Sequence, residues 1–301
     1  MKQLCEIVGP HKNVGYDGLW NVYKDSDIRP GTNYYWDMYS TSKFREGQKK
    51  CGNYSNVGDC VNREHSFPKS WFKKGQPMVS DAFHIYPTDG KVNGQRSSFP
   101  YGECANGTTL PSCNGVDALG KLGKSTFPGY SDTVFEPVDE YKGDFARTYF
   151  YMAACYNDKI ASWSSPMLAG NSYPCYTTWA VNLLLKWNEQ DPVSQKEIDR
   201  NNAVYKHQNN RNPFIDHPEL AEYIWGDKQN IGWTPGGVVD PKITSPYNGL
   251  TVDFGVTAVN TTLTYTVNVK AEGLTQSVAV SVAGAGFKAS AASIAAADAN
   301  K

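Results

Sequence analysis

The sequence is informative first for what it leaves out. No Cys-x-x-Cys pair occurs, which excludes a zinc ribbon or a thioredoxin-like centre. No His-Glu-x-x-His appears, so a metalloprotease-type zinc site has no anchor. No apolar run approaches the roughly 18 residues of a membrane-spanning helix. The N-terminus has no apolar signal core either; if the protein is exported, its signal peptide is absent from this chain. Neither sign of charge is in excess, with 29 Lys and Arg against 30 Asp and Glu and a formal net charge of −1. A globally basic nucleic-acid binder is thereby excluded, and such a partner would have to be met by a local basic patch.

What is present suits one large domain or two moderate ones: 301 residues, 40% hydrophobic and only 20% charged, enough to build a core. Aromatic residues reach 13%, which fits an extracellular enzyme, although buried packing accounts for most of them. The seven cysteines fit local bridges in an oxidising compartment, with Cys51 and Cys60, Cys104 and Cys113, and Cys155 and Cys175 as candidates, and Cys5 left over. Connectivity is not fixed by spacing, since six cysteines allow fifteen pairings.

Along the chain, Leu19, Trp20 and Tyr23 give a helix starting near Asp17, and Tyr34 to Tyr39 alternates as a strand does. Residues 60–67 read as a strand stopped by Pro68. Ala82 to Tyr86 reads as a second strand stopped by Pro87. Thr88 or Asp89 then caps a short helix carrying Asn93 and Arg96. Residues 103–140 are rich in Gly, Pro, Ser and Asn and read as a disulfide-tied surface excursion. Helical stripes follow after Asp144, from Trp179 to Trp187, behind a Ser194…Glu197 capping box, and around Pro218 up to Gly226. Thr234–Gly237 reads as a linker, giving domains at 1–233 and 242–301 joined by 234–241. Period-two alternations at 250–254, 263–269 and 278–282 read as a small β-sandwich, too short to be complete. The expected class is α+β, a mostly helical domain followed by an all-β module.

The chemistry gathers between Cys60 and Gly102. Asn62-Arg63-Glu64-His65 stands twenty-nine residues, counted from Glu64, before Asn93. A carboxylate, an imidazole and a carboxamide brought together by one fold-back can hold a hard divalent cation beside a general base. Hydrolysis of a phosphodiester requires both parts: a base for the attacking water, and positive charge for the phosphoryl oxygens. Mg²⁺ fits because it needs only one or two protein ligands, at about 2.0–2.1 Å. Singly these residues say little: a Glu-His pair is commonly a solvated strand end, and Asn before Gly a turn.

The combination is more specific. NREHSFPKSWF followed by DAFHIYPTDGKVNGQRSSFPYG resembles the endonuclease I family of secreted bacterial nucleases, which have the ββα-metal (His-Me finger) fold. GDFARTYFYM, LLLKWNEQDPV and NRNPFIDHPEL extend the resemblance over about residues 7–226. It implies His65 as general base, Glu64 and Asn93 as metal ligands, and Mg²⁺ as cofactor, with Mn²⁺ or Ca²⁺ also able to occupy the site. It further implies a secreted or periplasmic protein that cleaves DNA, and often RNA, with little sequence preference, leaving 5′-phosphates. A monomer is expected. Two departures stand out: Asn62 replaces a second acidic residue, and an arginine-bearing insert after the aromatic pair is missing. Arg63, Lys73 and Arg96 are therefore the candidates for the scissile phosphate, with Arg63 placed on the His65 face of the strand. Lys69 is a further substrate contact, and Arg211 reads either as one or as the residue that holds the Pro213 turn in place. His84 reads as a hydrogen-bonded core residue and His11 as a surface one. The C-terminal segment resembles Ig-like modules of secreted enzymes. Competing readings are an adhesion protein with a degenerate nuclease domain, and a zinc hydrolase using His65 and His84.

Overall fold

A computed structural model describes every residue except 235–240, 247–249, 257, 275 and 300–301. The chain divides into two units, Met1–Gly232 and Trp233–Lys301.

In the first unit the stretch that carries the chemistry forms two strands and a helix. β1 (Val61–His65) pairs antiparallel with β2 (Ile85–Asp89), with Glu64 opposite Tyr86 and His65 opposite Ile85. α3 (Gly90–Arg96) follows directly. The second strand starts later than its apolar run suggests, because Ala82–His84 winds into a 3₁₀ turn capped by Asp81. Nor does Pro87 stop it. Pro87 lies opposite Arg63, whose N–H donates to its neighbour Asn62 Oδ1 (2.8 Å) instead of across the ladder, so nothing is asked of the missing proline N–H. Asp89 caps α3, its Oδ1 accepting from the N–H groups of Lys91 (2.8 Å) and Val92 (3.0 Å).

The start of α3 also rests on a disulfide. Cys51 is bonded to Cys60, and a Cβ at Gly90 would overlap both sulfurs, so close approach requires glycine there. The Lys49–Cys51 segment runs along the free side of β1 through Val61 N–H to Lys49 O (2.8 Å) and Cys51 N–H to Val61 O (3.0 Å). The other expected bridges are absent, and the remaining five cysteines are free. Cys113 closes a tight turn with Val116, while the Cys104 thiol packs against Gly107 and Gly123. Cys155 directs its thiol to Val8 O (3.5 Å), on the side of α1 (Lys2–Val8), rather than to Cys175. Proximity in sequence carries no information about which way a thiol points.

Around this unit lie α2 (Leu19–Ser26), the hairpin β3 (Lys121–Lys124) and β4 (Thr133–Glu136), and five further helices: α4 (Lys142–Cys155), α5 (Thr178–Gln190), α6 (Gln195–Gln208), α7 (Pro213–Asp216) and α8 (Leu220–Ile224). All fourteen residues of α4 are buried, so it is a core helix on every side rather than an amphipathic one. Its Arg147 meets Glu197 through two bonds (2.6 and 2.8 Å), and the Ser194–Glu197 capping box forms at the head of α6. Tyr34–Tyr39 makes only isolated bridges, Tyr34 to Arg45 and Tyr35 to Ile28.

The second unit pairs β5 (Lys242–Ser245) with β6 (Lys270–Glu272) and β7 (Val278–Ala279) with β8 (Ser293–Ile294), and ends in α9 (Ala296–Ala299). Residues 250–254 and 263–269 form no strand, and their large side chains stay exposed, Leu263 and Val267 among them. Alternation makes a sandwich only where an opposing sheet buries one face. The described residues contain none. The proposed linker lies mostly outside the described residues.

Candidate active site

The two consecutive residues Glu64 and His65 sit in different surroundings. Glu64 is buried, and its Oε1 accepts from Arg96 Nη1 (2.9 Å) and from the Tyr39 hydroxyl (3.1 Å). Its Oε2 makes no hydrogen bond among the described residues. Burial pushes the Glu64 carboxyl above its ordinary pKa, while Arg96, Tyr39 and Lys69 pull it back down. Asn93, half-buried on α3 and three residues before Arg96, also leaves its carboxamide without a hydrogen bond among the described residues. Two unclaimed oxygen donors on packed elements are the donor type that a hard cation takes.

His65 lies against Tyr16 (ring centroids 5.9 Å, 22°), Phe72 and His84. Its Nε2 is 3.2 Å from Val79 O. A carbonyl oxygen only accepts, so Nε2 carries the proton and Nδ1 keeps its lone pair. Burial, followed by the nearby His84 ring, holds the imidazole pKa down to about 2, so the ring is neutral at physiological pH. His84 is fully buried and donates from Nε2 to Met78 O (2.6 Å), as a hydrogen-bonded core residue does.

The basic candidates separate by where they point. Arg96 is corrected as a substrate contact: it is fully buried, its guanidinium bound to Glu64, the carbonyls of His65 and Ser66 and the Tyr149 hydroxyl, over the Tyr101 ring. A polymer cannot reach it. Arg211 is half-buried and tied to Asp216 (2.6 and 2.7 Å) and Asn202 (3.0 Å), so it fixes the α6–α7 turn. Arg63 lies flat over Tyr16 (3.5 Å to the centroid) and donates to Tyr16 O and Asp17 Oδ1. Lys69 and Lys73 are exposed, and the charge of Lys69 is felt at both Glu64 and His65.

Sequence reasoning did not find Tyr39, Tyr101, Tyr16 or the Val79 carbonyl; they come from distant segments and carry no local signal. It also placed His11 at the surface. The His11 side chain is in fact almost wholly buried, facing Asp81 (3.8 Å) and Cys155 (3.9 Å). That cluster includes a thiol, which serves Mg²⁺ poorly.

The first unit is a mixed helix-and-sheet structure in which β1 carries a buried carboxylate and a neutral imidazole, and α3 carries a carboxamide without a hydrogen bond among the described residues. The endonuclease I family model matches residues 1–219, and the chain belongs to that family: it is a nucleic-acid hydrolase. It is similar to the extracellular ribonucleases of Bacillus amyloliquefaciens and of Bacillus subtilis (strain 168), each 35% identical over 237 residues, covering 74% of this chain and 72% of theirs. It is also 26% identical over 180 residues to Endonuclease-1 of Buchnera aphidicola subsp. Baizongia pistaciae, covering 54% of this chain and 63% of that one.

Proposed function

We propose that the protein is a secreted, sequence-nonspecific endonuclease that hydrolyses DNA and RNA to 5′-phosphate products at a His-Me finger centre with one divalent cation. The carrying observation is the pair of adjacent side chains: Glu64, pinned through one carboxylate oxygen with the other left over, and His65, with its tautomer fixed by Val79 O. Glu64 Oε2 and the Asn93 carboxamide would hold the cation. Bound there, Mg²⁺ would neutralise charge on the phosphoryl group. His65 Nδ1 takes the proton of the attacking water, and the neutral ring needs no prior deprotonation. Lys69, Lys73 and Arg63 supply positive charge to the phosphates, and phosphate contacts without base-edge contacts carry no sequence information. Arg96 acts through Glu64, keeping a buried carboxylate charged.

Export is supported by relatives named extracellular or periplasmic, including deoxyribonucleases of Aeromonas hydrophila. No helix among the described residues is long and apolar enough to cross a membrane. Plasmid nicking with and without EDTA tests the proposal. Cleavage that needs Mg²⁺ and falls with added salt is expected. Undiminished cleavage in EDTA would overturn the cation's role.

A further inference from the structure

Between α2 and β1 a cleft of about 450 Å³ opens, lined by Asp17, Trp20, Asn21, Lys50, Asn62 and Arg63. We propose that it is a nucleobase subsite, seating a base next to the scissile phosphodiester; this rests on the nuclease reading above.

The cleft is connected to the reacting centre through stacked groups. Tyr16 lies over the His65 ring, the Arg63 guanidinium lies over the opposite neighbour Tyr16 at 3.5 Å, and Arg63 is also 5.1 Å from the Trp20 ring. The Tyr16 ring and the Arg63 guanidinium therefore form a continuous stack between the imidazole and the half-buried indole. Flat π faces bearing cations are what unpaired bases stack on. Lys50 sits over the same indole at 4.6 Å; it is exposed, so a base can displace it toward a neighbouring phosphate.

The rim supplies hydrogen-bonding atoms that the fold does not use. Asp17 spends Oδ1 on Arg63 and has Oδ2 to spare, with its side chain 97% exposed. Asn62 spends Oδ1 on the Arg63 N–H and keeps its amide hydrogens. The exposed Asn21 side chain makes no hydrogen bond among the described residues. An indole flanked by an acceptor carboxylate and two amides that can each donate or accept suits any base, held by its face without selecting its sequence, better than a bare phosphate, which a carboxylate would repel. The wall is rigid: the Lys49–Cys51 segment is held to β1 by backbone bonds and by the Cys51–Cys60 disulfide.

The test compares a single-stranded DNA oligonucleotide with one of equal length and phosphate count made of abasic residues, using the full chain with Mg²⁺. The wild-type protein should show a KM about tenfold lower for the base-bearing strand, and Trp20→Leu should remove most of that preference. Trp20 also packs on Tyr23 and Tyr35, so Asn21→Ala, at an exposed residue whose side chain makes no hydrogen bond among the described residues, serves as the second variant. It should narrow the preference about threefold, the size of one modest hydrogen bond. Equal KM values for the two strands in the wild type would overturn the subsite and leave a cleft that meets phosphates alone. So would an unchanged preference in both variants. Failure of the wild type to cleave either strand, with plasmid and RNA also left intact, would instead sink the nuclease reading on which the subsite depends.

Discussion

The two sides of β1 receive the same physical treatment and come out with opposite results. On the side of Glu64, burial raises a carboxyl pKa; on the side of His65, it lowers an imidazole pKa. Both shifts favour the neutral form. For the imidazole this keeps the lone pair free at neutral pH but weakens it as a proton acceptor, and the protein adds a carbonyl that sets the tautomer. For a cation ligand it is a defect, and there the protein adds a buried guanidinium and a tyrosine hydroxyl. Polar partners have accumulated on the side that must carry a charge.

If the imidazole side supplies the base, removing it should produce the largest loss. His65→Ala is expected to cut the nicking rate about 10²–10⁴-fold with folding intact, as seen by circular dichroism. A variant within a few-fold of wild type would move the base elsewhere. On the carboxylate side the expected damage is to stability. Arg96→Met leaves Glu64 buried and unpaired, which costs about 3–5 kcal/mol. For a unit of this size, that lowers Tm by roughly 10 °C. Pairing it with Glu64→Leu should restore the part of the loss due to the unpaired carboxylate, not the part due to the orphaned carbonyls of His65 and Ser66, and none of the activity. If the double variant regained activity, Glu64 would not be a ligand.

These two sides differed in how far the sequence revealed them. The strand carrying Glu64 and His65, the Asp89 cap and the position of Asn93 on the following helix are local properties, set by alternation, capping and spacing within about thirty residues. Arg96 was legible as a cation on that helix, but not its direction. A helix position predicts a face, and whether that face meets solvent or Tyr39, Tyr101 and Tyr149 depends on segments up to 57 residues away. Cys51–Cys60 formed as its spacing suggested, while the Cys104–Cys113 and Cys155–Cys175 pairings failed for the same reason. In the C-terminal unit the alternation was real but had no opposing sheet to act on, so pattern without partner gave no strands at 250–254 or 263–269.

Asn93 tests whether the carboxylate side extends to α3. Asn93→Ala should leave the rate at saturating Mg²⁺ within a few-fold of wild type and raise the Mg²⁺ needed for half-maximal nicking roughly tenfold. An unchanged Mg²⁺ titration would leave Glu64 as a ligand without the carboxamide.

The smallest effect separates the two sides by pH. His65, with a pKa near 2, keeps its lone pair as the solution is acidified and imposes no ionisation at the ordinary histidine value of 6.5. Glu64, pushed upward from 4.5, takes up a proton first as pH falls, and a protonated carboxyl is a poor ligand. Proton and Mg²⁺ then compete for one oxygen. Raising Mg²⁺ about tenfold should therefore move the acid limb of kcat/KM to lower pH, by up to about one unit. The stability of the folded state runs in the sense set by His65: with its folded pKa depressed, its contribution is complete above 6.5 and is lost progressively as pH falls toward 2. Activity loss that Mg²⁺ offsets, together with acid unfolding that follows the His65 window when measured in EDTA, would assign the two titrations to the two sides of the strand. An acid limb fixed near 6.5 at both Mg²⁺ concentrations would put both on the imidazole and erase the contrast.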